Sequence, residues 1–405
     1  MLKSMLNTIK REWDLMIKEK MIFILLIIMP LLVNILLGFE FSNGQIQHVP
    51  MAIIDQDNSS LSRMIVQQFV ENETFDVKYF LDNSIEMKKL FDCSKVRVGM
   101  VIPKDFSKNV MALQSPTILM LYDGSHMSIA SATKSKASEI LLTLKTGMLI
   151  KLLQGKLNLH RNMAQKMALA ISFSNRTLYN PTKNFKNFLN PGFGTAIVQS
   201  ALALLTATAV RNNEIDNKKR KKTGYILGKI SFYGALGFLS LMLNILIQNK
   251  IFHIPLRGKL TDVALLSFFF AVSVSSFGIM LSTWVRNEMI ATVINAVIFV
   301  PSTIMAGYTW PVISMPKPYQ IGAAFLPFYH YADNLRDLFL KKISIDYMIH
   351  DIVWFTAFIF FTSIVAVIGI FRLRITRLEK STVITEEGEQ LAFCEHTDKR
   401  NEIHL

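Results

Sequence analysis

Hydrophobic residues gather along this chain in long runs, separated by stretches in which apolar and polar positions alternate. The first run, Met21 to Phe39, is interrupted only by Pro30 and Asn34. Five more follow at 189–210, 230–249, 263–285, 289–308 and 352–371. Each has about 20 residues, enough at ~1.5 Å rise per residue to cross ~30 Å of hydrocarbon. The first run exceeds the ~7–15 residues of a signal-peptide core, and no small-x-small cleavage site follows it. Residues 21–39 are therefore read as an uncleaved first membrane helix.

Ahead of that run, residues 1–20 carry Leu2, Met5, Leu6, Ile9, Trp13, Met16 and Ile17 at helical spacing, with Lys3, Asn7, Lys10, Arg11, Asp14 and Lys18 on the other face. This predicts an amphipathic helix lying in the membrane interface. Residues 40–188 change character. Strands are predicted at 49–55, 75–81, 96–102 and 117–123, and helices at 59–72 and 84–92. Strands alternating with helices predict an α/β domain with partly parallel pairing. A stripe of Ala137, Leu141, Leu144, Met148 and Leu152 then predicts a long stalk-like helix from Ser128 to about Gln154. The five later runs make up a membrane domain at 189–371, and the charged residues 372–405 read as a cytoplasmic tail. The fold class expected is an α-helical polytopic membrane protein with six transmembrane helices and an inserted α/β domain.

Charge orients this arrangement. The 405 residues include 44 Lys and Arg against 30 Asp and Glu, a net charge of +14. The basic residues cluster beside apolar runs, at Lys18 and Lys20, Lys218 to Lys222, and Arg372, Arg374 and Arg377. Lys and Arg at membrane-helix ends mark the cytoplasmic side. Six crossings with these clusters inside put both termini in the cytoplasm and 40–188 outside. The charge is assigned to orientation and anionic lipid, with no nucleic-acid partner. Cys93 and Cys394 then lie on opposite sides and cannot pair. The segment 309–340 is too apolar for a free loop and is read as re-entrant.

Little in the sequence points to catalysis. The nearest match to a phosphate-cradling loop, Gly224 to Ile230, has the wrong spacing and lacks the terminal hydroxyl residue. There is no HExxH, no GxSxG and no metal-spaced His/Cys cluster. Cys394-Glu395-His396 is too compact for a closed metal site. Asp123-Gly124-Ser125 reads as a turn. Ionisable residues are nearly absent from the apolar runs, which argues against ion-coupled transport. The amides Asn34, Gln199, Asn244 and Asn295 remain. They either line a weakly polar cargo groove or hydrogen-bond between helices.

Several segments, taken in order, resemble the permease subunits of type-2 ABC exporters with a large extracytoplasmic domain after the first membrane helix. They are VPMAIIDQDNSSLSR (49–63), VRVGMVIPKDFSKNV (96–110), LYDGS (121–125), GYTWPVISMPKPYQ (307–320) and LPFYHYADNLRDL (326–338). The resemblance implies a type V exporter architecture in a bacterial plasma (inner) membrane. It implies a separate cytoplasmic ABC ATPase that binds ATP and Mg, a second permease subunit, and in two-membrane bacteria a periplasmic adaptor. No cofactor is expected in this chain, and it is not expected to be an enzyme. Arg211, Glu214, Gly228 and Lys229 match the family's coupling region, although the middle of 211–229 is shortened. Pro311, Met315, Pro316, Phe325 and Phe328 fall in the family's outer re-entrant helices. The cargo implied is an amphipathic small molecule, lipid or peptide. A rival reading is a membrane receptor whose outer domain binds a ligand.

Overall fold

The computed structural model describes residues 1–169, 176–210, 222–285 and 287–372. They divide into two compact units: Met1–Gly44 with Leu178 onward, and Gln45–Thr177. The first unit begins with α1 (Leu2–Lys18). One continuous helix follows over Met21–Glu40, made of α2 (Met21–Phe23), a π-helical turn (Ile24–Ile28) and α3 (Met29–Glu40). The π turn ends just ahead of Pro30, which has no N–H to give the preceding turn.

The second unit is a four-stranded sheet in the order β2-β1-β3-β4. Its strands are β1 (Val49–Asp55), β2 (Phe75–Phe80), β3 (Val98–Ile102) and β4 (Leu119–Tyr122). β1 pairs parallel with β2 and β3, while β3 and β4 are antiparallel. The parallel pairs are joined through α4 (Ser60–Val70) and α5 (Ser84–Asp92). Alternate residues of β1 and β3 enter different cores. Val49, Met51, Ile53, Val98 and Met100 pack with Ile65 and Phe69 of α4 and Ala137 of α7 (Met127–Leu157). Ala52 and Ile54 pack with Met87 of α5.

The turn after β1 explains the segment IDQDNSS. One oxygen of Asp55 accepts from the backbone N–H groups of Asp57 and Asn58, and the other accepts from Ser62 Oγ at 2.7 Å. Ser59 and Ser62 close a reciprocal capping box at the start of α4. Asp57 in turn accepts from the backbone N–H of Ser107, tying in α6 (Phe106–Met111). α6 and α8 (Arg161–Ala168) are too short to show a helical period in the sequence.

The first unit resumes with α9 (Phe185–Ala207), α10 (Lys222–Lys250), α11 (Leu260–Trp284) and α12 (Glu288–Met305). After Gly307, whose φ of +81° suits glycine, come α13 (Lys317–Ala324), α14 (Pro327–Leu340) and α15 (Ile345–Arg372). Among the described residues, six helices are long and apolar enough to cross a membrane: Met21–Glu40, α9, α10, α11, α12 and α15. Their outer faces stay apolar, as with Val293, Val297 and Val300 on α12 and Phe360, Phe361 and Ile364 on α15. Helices apolar on both sides need a non-aqueous surround.

The structure moves one boundary that matters. The sequence places residues 222–229 in an inner loop, yet they are the first two turns of α10. Gly224, Gly228 and Lys229 depress the local hydropathy. They are nevertheless buried in a helix–helix contact.

Asp123 lies at the end of β4. Hydrogen bonds from Ser125, then from Arg97, hold its carboxyl down at about 2. A depressed carboxylate stabilises the fold above its ordinary 3.8, and that contribution is lost as pH falls through the folded value. Asp123→Ala is therefore expected to speed amide hydrogen exchange around 97–125 in the full chain at neutral pH. Its difference from the unmodified protein should shrink as pH approaches 2. A difference independent of pH would assign the effect to packing instead.

Candidate functional site

The start of α10 packs closely against α1. α1 runs beside it in the same direction. A Cβ on Gly224 would come within 2.7 Å of the Met1 carbonyl oxygen, and one on Gly228 within 2.9 Å of that of Met5. Glycine four residues apart thus lets the two backbones approach, the small-xxx-small device of close helix pairs. The stretch that resembles a nucleotide loop is in fact filled by α1.

That approach brings Glu12 to Lys229. Lys229 Nζ donates to Glu12 Oε1 at 2.6 Å, with the side chains 1% and 2% exposed. Lys229 also donates to the Ala209 carbonyl at 2.6 Å, just past the end of α9. Tyr233 Oη donates to the second oxygen of Glu12 at 3.1 Å. The ammonium lies 5.1 Å from the ring centre of Tyr225. Val210 N–H donates to Ser282 Oγ of α11 at 3.0 Å. One charged pair therefore joins α1, α10 and the residues that lead into segment 211–221.

The apolar side chains Leu2, Leu6, Trp13 and Ile17 of α1 remain exposed, whereas Thr8, Glu12 and Met16 are buried. The helix thus has three faces: apolar, charged, and a narrow one turned to α10. The sequence pattern assigns Thr8 and Glu12 to neither of its two faces. Their four-residue spacing with Met16 was the available signal.

Among the residues picked from the sequence, Gly228 and Lys229 lie together at this crossing. Arg211 and Glu214 fall outside the described residues. The four amides do not share one site. Asn34 donates to the Asn244 carbonyl at 3.2 Å and accepts from Gln248 at 3.0 Å, beside Gly194 of α9. Gln199 donates to Phe299 O and Ser302 Oγ, and Asn295 to Ala203 O, along the α9–α12 contact. All four are buried; Asn34, Gln199 and Asn295 make cross-helix hydrogen bonds, whereas the Asn244 side chain donates to Ser240 O of its own helix.

The outer segment also divides. Phe325 is 70% exposed, with Trp310, Ile313 and Ile321 exposed nearby. Phe328 is 1% exposed and packs on Phe270. It belongs to the core that Phe270 forms with stacked Tyr331, so the two phenylalanines assigned to the re-entrant segment differ in environment. Pro311 and Met315 flank a 3-10 turn, and Pro316 caps α13. His330 Nδ1 meets Asp351 at 2.8 Å, and Asn334 donates to the same carboxylate at 2.6 Å, fastening α14 to α15.

A family model described as ABC-2 family transporter protein matches residues 20–368. The chain is 23% identical over 353 residues to the probable multidrug ABC transporter permease YbhR of Escherichia coli K12, covering 85% of this chain and 91% of that protein. It is 23% identical over 340 residues to the probable multidrug ABC transporter permease YbhS of the same strain, covering 82% and 86%. A shorter match, 26% over 179 residues, joins 42% of this chain to 24% of ABC transporter G family member 20 of Dictyostelium discoideum.

Removing one partner of a buried pair strands the other charge, which costs about 3–5 kcal/mol. Glu12→Ala and Lys229→Ala are each expected to lower the melting temperature of the purified protein clearly. The apolar double variant Glu12→Leu/Lys229→Met should recover most of that loss. A double variant no more stable than either single would show that charge burial is not the cause.

Proposed function

The chain belongs to the ABC-2 family of transporter proteins, and from that membership we propose that it is the membrane-spanning permease of an ATP-driven exporter of type V architecture. Both termini lie in the cytoplasm of a bacterial inner membrane, and the α/β unit Gln45–Thr177 is an insertion on the outer side. ATP and Mg are bound by a separate ABC ATPase, and a second permease subunit faces this one. The cargo is an amphipathic molecule, in keeping with the word multidrug in the names of two relatives.

The observation that carries this reading is the buried Glu12–Lys229 pair. A permease without a nucleotide site must receive work through contacts at its inner surface. Segment 211–221 lies between two membrane helices, so displacement there moves both. Lys229 cannot leave Glu12 without leaving a charge buried and unpaired. α1, the end of α9 and the start of α10 consequently shift as one body. The Gly224–Lys229 stretch offers no cradle for phosphate because α1 backbone occupies it.

The test pairs ATPase activity of the reconstituted complex with export in cells. Glu12→Leu/Lys229→Met should assemble with the ATPase yet lose most cargo stimulation and export. Glu214→Lys is expected to uncouple in the same way without loss of folding. Full stimulation and full export in both would remove this crossing from the mechanism. On the outer side, Phe325→Ala should change cargo range at normal protein levels, while Phe328→Ala should lower stability by about 3–5 kcal/mol as a core truncation. Equal stability of the two variants would contradict their separation.

A further inference from the structure

The α/β unit holds a cleft that its fold does not require. The cleft has a volume of about 520 Å³ and lies between α4, α6 and the C-terminal half of α7. Met64, Met111, Met148 and Leu152 form its apolar wall. Met64 and Met111 are exposed, although nearby Met51 and Met100 are fully buried in the sheet core. Thioether side chains adapt to ligands of varied shape, and open methionine surfaces commonly serve binding. The volume falls in the range of small-molecule sites, roughly 300–1,000 Å³.

Charge narrows the class of ligand. Lys151 and Lys156 line the cleft, and no carboxylate is among its lining residues. Lys156 donates to the Met111 carbonyl, bridging α7 to α6 across one end. Lys151 stands about one and a half turns away on the same helix, beside the methionine wall. An apolar trough with an ammonium at its edge fits a molecule with an apolar body and one anionic head. The volume is too small for a two-chain phospholipid.

We propose that this cleft binds a single-chain amphipathic anion, with its hydrocarbon body on the methionine wall and its carboxylate or sulfate head at Lys151. The site lies wholly within Gln45–Thr177 and does not depend on the exporter reading. Because the α/β unit also carries the sheet, fold integrity can be followed separately from binding.

The experiment uses the full chain in neutral phosphatidylcholine nanodiscs and dodecanoic acid bearing a diazirine on its chain. After irradiation, adducts are mapped by mass spectrometry. Adducts are expected at 61–64, 110–111 and 148–152. Dodecyl sulfate should suppress them, and dodecyltrimethylammonium, with the same chain and opposite charge, should not. Lys151→Glu should weaken labelling roughly fivefold, the equivalent of about 1 kcal/mol for an exposed ion pair. Gly155→Trp should abolish it, since a Cβ there meets nothing within 4 Å and the indole would fill the cleft. Amide exchange of β1 and β3 reports whether each variant keeps its fold. Adducts confined to the membrane helices, equal competition by the cation, or unchanged labelling in both folded variants would overturn the proposal.

Discussion

A buried ammonium and a buried carboxylate cannot be separated cheaply in an apolar surround, and the first unit is arranged around that constraint. Lys229 and Glu12 are each nearly inaccessible, and each has further hydrogen bonds, to Ala209 and from Tyr233. The glycines at 224 and 228 exist in service of this pair, because only their bare backbone lets α1 approach closely enough. The apolar face of α1, with Leu2, Leu6, Trp13 and Ile17, is thereby left exposed. One electrostatic contact thus joins α1, the start of α10 and Ala209 beyond the end of α9.

α10 has a second polar anchor roughly 22–29 Å further along, at ~1.5 Å per residue. There Asn244 and Gln248 engage Asn34 and the Asn190 carbonyl. Between the two anchors the helix is held by apolar packing, including Tyr233, Leu236 and Leu241. Hydrogen bonds thus tie α10 to its neighbours near both ends. Of the four amides picked from the sequence, Asn34 and Asn244 take part in this second anchor, Asn244 through its backbone carbonyl.

Much of the fold was legible because membrane crossing and sheet burial both leave long, regular signals. The six runs mark the six described helices long and apolar enough to cross a membrane, and alternation in VPMAIID marks a strand that faces two cores. The start of α10 was not legible: Gly224, Gly228 and Lys229 are helix-unfavourable or charged in isolation, and only a partner 217 residues away makes them buried. Glu12 was hidden for the same reason, since its face of α1 is one residue wide per turn. Phe325 and Phe328 look alike in sequence, three positions apart, but opposite sides of the α13–α14 turn give one to the surroundings and the other to Phe270. The methionine cleft left no pattern, because α4, α6 and α7 meet there only in three dimensions.

The separation of Glu12 from Lys229 also has a consequence in time. Synthesis at ~5–20 residues per second leaves about 10–40 s between the appearance of the carboxylate and that of its ammonium. During that interval Glu12 lacks the ammonium it is buried against, so the buried pair is a late contact that forms only once α10 has been made.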